Sequence, residues 1–140
     1  MKKLILTSLF LVLTVSAAFA DTTALEKALS LLNDGKTDDA IAILKDQITA
    51  NPDISDNHLA MGFAKMDKND LAGAKESFQR AVSLNKKLVA AHYMLAMIYE
   101  KEGDSKAAIE KWQNILKYTK DAALKNLATK HIGQLQGEIK

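Results

Sequence analysis

A Gly or Asn is followed five residues later by an Ala, four beyond that by a large apolar residue, and seven further on by a turn signal. This polar and apolar pattern occurs three times, always 34 residues apart. Gly35, Asn69 and Gly103 hold the first position, Ala40, Ala74 and Ala108 the second, Leu44, Phe78 and Trp112 the third, and Asn51, Asn85 and Thr119 the last. Self-similarity at this period marks stacked helix pairs, each burying an apolar stripe against the next. The chain contains a single Pro, abundant Ala, Leu and Lys, few aromatic residues and no alternating β-branched run, so strands are not expected and the fold class is all-α.

The spacing predicts seven helices, over 22–33, 38–50, 55–67, 71–84, 89–102, 105–118 and 122–137. Thr23 to Glu26 reads as a capping box at the start of the first. Ser55, Asp70, Asp104 and Asp121 stand where later helices need side-chain acceptors for free amide groups. The turns inside the pairs place Gly35, Asn69 and Gly103 where a positive φ is required.

The first twenty residues follow a different logic. Met1-Lys2-Lys3 is a basic head, Leu4 to Val15 an apolar core, and Ala18-Phe19-Ala20 a small-x-small cleavage site, so residues 1–20 read as a cleavable secretory signal peptide. Thr7, Ser8 and Thr14 interrupt the apolar stretch, which falls short of the roughly 20 apolar residues of a spanning helix. A mature chain from Asp21, periplasmic or secreted and not inserted in a membrane, is the expectation.

Removing that segment changes the charge. The formal +2 of the whole chain is carried by Lys2 and Lys3, which leaves 17 basic residues against 17 acids and a single Arg, Arg80. A neutral chain without a basic stripe is a poor match for nucleic acid. The balance is uneven, with eight acids and three Lys over residues 21–59, a net of −5, and nine acids and fourteen basic residues over 60–140, a net of +5. Opposed ends allow head-to-tail self-association. With no Cys, neither disulfides nor thiolate metal sites can hold the domain, which must rely on its apolar core.

With these residues in place the chain resembles the tetratricopeptide-repeat family over 21–54, 55–88 and 89–121. That family places small residues at repeat positions 8 and 20 and bulky ones at 4, 7, 11 and 24. The third repeat matches best, through Leu95, Ala96, Tyr99, Ala108, Trp112 and Ile115. The second has Met61, Gly62, Ala74, Phe78 and Ala81, but carries Lys65 at an apolar slot. The first keeps Ala28, Leu31, Ala40, Leu44 and Pro52, with Lys27 and Gln47 departing from apolar slots. The resemblance implies a short right-handed α-solenoid of three helix pairs. Residues 122–140, with Ala123, Leu124, Leu127, Ala128, Ile132 and Leu135 on one side and Lys125, Lys130 and Gln134 elsewhere, read as an amphipathic capping helix.

The resemblance also implies a binding surface, since the first helix of each pair lines a concave face in this family. Its matching positions here are Leu25, Leu29 and Leu32, then Leu59, Phe63 and Met66, then Tyr93 and Met97, with Asp56, Asp67, Glu100 and Lys101 on the rim. Methionines re-pack cheaply, so such a groove suits an apolar or amphipathic peptide segment. Leu25, Leu29, Leu59 and Phe63 stand where relatives that grip a C-terminal carboxylate carry Lys and Asn, so that use is not expected.

No phosphate loop, nucleophile elbow or His-Glu-x-x-His segment is present, and neither catalysis nor a cofactor is expected. His58 and His92 both occupy repeat position 4, a packing site in the family, and are read as structural rather than metal ligands; His131 stands alone on the last helix. Asp38 and Asp39 read as first-turn acids favoured by the helix dipole. The expected function is therefore that of a protein-binding adaptor, scaffold or assembly factor of the cell envelope. The alternatives are a periplasmic chaperone holding unfolded clients such as apocytochromes and a self-assembling structural protein.

Overall fold

The computed structural model describes residues 23–138, and every described helix follows from a start or stop signal in the sequence. α1 occupies residues 23–33 and α2 Thr37–Ala50. They are followed by α3 (Ser55–Asp67), α4 (Leu71–Leu84), α5 (Val89–Glu102), α6 (Ser105–Tyr118) and α7 (Ala122–Glu138). The predicted boundaries of α2 to α7 hold to within a residue. The signal-peptide reading of residues 1–20 falls outside the described residues. Among those described, no helix is long and apolar enough to cross a membrane.

One turn is used three times. Gly35, Asn69 and Gly103 adopt left-handed backbone, with φ of 73°, 59° and 76°. In each case the following residue donates to a carbonyl five back: Lys36 to Leu31 at 2.8 Å, Asp70 to Lys65 at 2.9 Å and Asp104 to Tyr99 at 2.9 Å. These are Schellman closures, which satisfy the last carbonyls of a helix. In the second and third turns the same residue then opens the next helix. The Asp70 carboxylate accepts from Gly73 N at 2.9 Å, and the Asp104 carboxylate from Ala107 N at 3.0 Å. Lys36 has nothing equivalent to offer α2, whose first turn relies instead on the charges of Asp38 and Asp39.

Two capping expectations are corrected. Ser55 is the first helical residue of α3 rather than its cap. The cap is Ile54, in extended backbone and without a side-chain acceptor. Thr23 is already helical, inside α1 rather than at its cap. Asp121 caps α7 as expected, accepting from Ala123 N at 2.8 Å and Leu124 N at 3.2 Å.

The helices divide into two compact units between Pro52 and Asp53. In the first, Ala28, Ala40 and Leu44 are fully buried. In the second, α3 packs on α4, α4 on α5, α5 on α6 and α6 on α7, so each helix rests on its chain neighbour as a repeat stack requires. Two clusters form its core. The first joins Ala74, Phe78 and Ala81 of α4 to Ala91, Leu95 and Ile98 of α5. The second joins Ala96, Ala108, Trp112 and Ile115 to Ala128 and Leu135 of α7. The small residues allow the close approach. A Cβ on Gly62 would fall 2.6 Å from Phe78 Cδ1 and 2.8 Å from Phe78 Cζ, so α3 and α4 meet at a distance that only Gly permits.

α7 gives its apolar side to α6. Leu124, Leu127 and Ile132 are half-buried against the second cluster. Ala123, predicted on that same side, is instead exposed at the helix start.

Candidate functional site

Phe63 and Tyr93 each rest edge-on against the bulky residue of the following helix. Phe63 meets Phe78 with ring centroids 5.3 Å apart at 74°, and Tyr93 meets Trp112 at 5.5 Å and 90°. Phe78 and Trp112 are completely buried, as are their partners in the repeat pattern, Ala74 and Ala108. The first-helix aromatics are therefore each packed against a buried ring in a T-shaped pair, an arrangement favoured by the ring quadrupole, and are themselves half-buried.

Leu59, Phe63 and Met66 of α3 are half-buried against the first core cluster, with Asp56 and Asp67 exposed beside them. On α5, Met97 lies one turn after Tyr93 and is 38% exposed, although Leu95, Ala96 and Ile98 already give that helix a full apolar seam. Lys101 is exposed. In the first unit, Leu25 and Leu32 of α1 are half-buried and Leu29 is 46% exposed. Leu29 and Met97 are the two exposed large apolar residues among those described, and both occupy the same repeat position.

Glu100 is not a free rim residue. One of its carboxylate oxygens, Oε1, accepts from Trp112 Nε1 and lies 2.8 Å from His131 Nδ1, while the His131 ring stacks on Trp112 with centroids 4.5 Å apart. His131, read as isolated, is thus tied to both α5 and α6. The signal was present in the sequence. Extending the 34-residue register into α7 puts His131 in one row with Phe63 and Met97, and Leu127 in one row with Leu59 and Tyr93. By register α7 is thereby a further first helix, packed on α6.

His92 is a packing residue. It is 4% exposed, its Nε2 donates to the Lys86 carbonyl at 2.9 Å, its ring stacks on Tyr118, and Nδ1 is buried without a partner. Burial pushes its pKa below the usual imidazole value; nearby Lys111 acts in the same direction, and the Lys86 carbonyl opposes them. Among the described residues no group of three or more His, Cys, Asp or Glu side chains is placed to hold a metal ion. Lys65, at an apolar slot, donates from Nζ to the Gly73 carbonyl at 3.3 Å and lays its stem along α4. Gln47, the other polar replacement, has its amide oxygen buried without a hydrogen bond.

Residues 59–123 match the family model described as tetratricopeptide repeat. That stretch of the chain is a tetratricopeptide-repeat region. Over 73 residues the chain is 34% identical to mouse Superkiller complex protein 3 and 30% identical to the human protein, a stretch that is 52% of this chain. The chain spans about 5% of the length of these curated relatives.

Solved structures share the fold. The Yersinia enterocolitica type III secretion chaperone SycD, in complex with a peptide of the translocator YopD, overlays with a TM-score of 0.75 at 12% identity, covering 84% of this chain and 93% of that one. The first repeat domain of Spaghetti (RPAP3), bound to the HSP90 peptide SRMEEVD, gives 0.72 at 18% identity over 85% and 92%. MamA gives 0.68 at 24% identity over 82% and 61%.

Proposed function

We propose that this chain is a non-catalytic interaction module of the cell envelope, an adaptor or assembly factor that binds an apolar or amphipathic segment of a partner protein on the first-helix face of α3 and α5. The observation that carries this reading is the exposure of Met97. It stays open to solvent at one of the repeat positions that the family turns toward a ligand, and Leu29 does the same at that position in the first unit. An exposed large apolar side chain on a helix whose core seam is already complete adds nothing to folding, and it gains from a partner. SycD and the Spaghetti domain were each solved with a bound peptide, which supports peptide binding as the use of this fold. Leu25, Leu29, Leu59 and Phe63 at the clamp positions favour an apolar segment over a carboxylate terminus.

The envelope location rests on the leader pattern of residues 1–20, and intact mass of the exported chain tests it, with Asp21 as the expected first residue. Affinity capture from envelope extract, followed by mass spectrometry, tests the binding reading. Wild type is compared with Met97→Glu and Leu29→Glu, two substitutions at exposed sites that spare the core. Partners lost from Met97→Glu support the reading, and Leu29→Glu tests the same position in the first unit. Several unrelated unfolded proteins lost together mark a client holder, and copies of the chain itself mark self-assembly. Identical capture by all three baits refutes the proposed face.

A further inference from the structure

The first-helix face holds one ionisable group whose geometry is fixed from both sides. Glu100 Oε1 takes the indole N–H of the fully buried Trp112 and the Nδ1 of His131, whose ring is stacked on that same indole. Two donors on one oxygen and a rigid aromatic pair behind it leave the carboxylate little freedom to turn. The other oxygen, Oε2, accepts no hydrogen bond among the described residues, and it is not among the buried atoms that lack a partner. The side chain keeps 22% of its surface accessible. Glu100 lies three residues after the exposed Met97 and seven after the half-buried Tyr93, so all three share one stripe of α5. A half-desolvated carboxylate with one oxygen pinned and the other open is pre-organised for a charge-assisted hydrogen bond, because the entropy of fixing it has already been spent in folding.

We infer that Glu100 is a specificity determinant of this face and receives a Lys or Arg of the partner segment, while an adjacent apolar residue of that segment covers Met97. The inference rests on the partner-binding reading above and narrows the partner to a cationic amphipathic segment. His131 and Trp112 act as positioning residues, holding the carboxylate without touching the partner.

Selection of displayed random 12-residue peptides on the full chain tests this. Recovered peptides are expected to pair an apolar residue with a Lys or Arg. Replacing that Lys or Arg by norleucine should weaken binding about fivefold or more, and Glu100→Gln, which keeps an acceptor for Trp112 and His131, should weaken it similarly. The two changes together should cost little more than either one alone. Peptides that bind without any basic enrichment, and equally well to Glu100→Gln, overturn the inference and reduce Glu100 to a packing partner of Trp112. Full binding by Met97→Glu overturns the partner-binding reading itself, and recovery of no peptide overturns both. The peptide-side substitution is read on the unaltered chain, so the outcome does not depend on how Glu100→Gln folds.

Discussion

Gly62→Ala sets two opposing effects against each other, and the structure decides between them. In the middle of α3, Ala is worth about 0.5 to 1 kcal/mol over Gly through backbone entropy alone. Against this, the added methyl would meet three ring carbons of Phe78, two of them at 2.6 and 2.8 Å, where carbon atoms normally rest about 3.5 to 4 Å apart. Phe78 is fully buried between α3, α4 and α5 and pinned edge-on by Phe63, so it cannot turn away. Overpacking of this kind costs about 1 to 3 kcal/mol, and the larger part applies because the obstacle is a rigid ring. The expected net loss is about 1 to 2 kcal/mol, a fall in Tm of about 5 to 10 °C for a domain of this size. Thermal unfolding followed by circular dichroism measures it. A smaller residue opposite should relieve the clash, so Gly62→Ala combined with Phe78→Leu should lose less than the sum of the single losses. A Tm that rises for Gly62→Ala, or strict additivity in the pair, would refute the close approach of α3 and α4.

Three further outcomes follow from individual contacts. His92 is held neutral by burial, so its folded pKa lies below the unfolded value of about 6.5, and the unfolded chain takes up the proton first. The stability it contributes is present above about pH 6.5 and is lost as pH falls toward the folded value; urea midpoints at pH 7.5 and 5.5 should therefore diverge less in His92→Leu than in wild type. Asp104→Ala removes the acceptor for Ala107 N and should cost about 1 kcal/mol by urea unfolding, whereas Ser55→Ala, at a residue that caps nothing, should cost less. His131→Ala breaks the contact to Glu100 and the stack on Trp112. It should lower stability by about 1 kcal/mol and shift the emission of the chain's single Trp.

The fold was legible because its signals are local and repeated. Gly35, Asn69 and Gly103 mark a backbone conformation that few other residues tolerate, and Ala74, Phe78, Ala108 and Trp112 recur at the spacing that brings small against large. Caps were less legible. Ser55 has the right chemistry one residue too late, since a cap depends on backbone angles that composition does not set. The face on α3 and α5 could be placed by register, but how far each side chain is open could not. Phe63 and Met97 hold the same repeat position, yet Phe63 is half-buried and Met97 exposed, because Phe78 lies beneath one and a different set of neighbours beneath the other. The contact of Glu100 with His131 spans 31 residues and depends on α7 continuing the register of the repeats, which its capping role concealed.

The central claim is that the first-helix face around Met97 is where a partner lies. Methyl NMR of the methionines, recorded while a captured or selected peptide is titrated into the chain, reads that face directly. The account predicts that the Met97 signal shifts most, with Met66 following, while Met61, 6% exposed in the core, stays still. Saturable binding that leaves Met97 unmoved would contradict it.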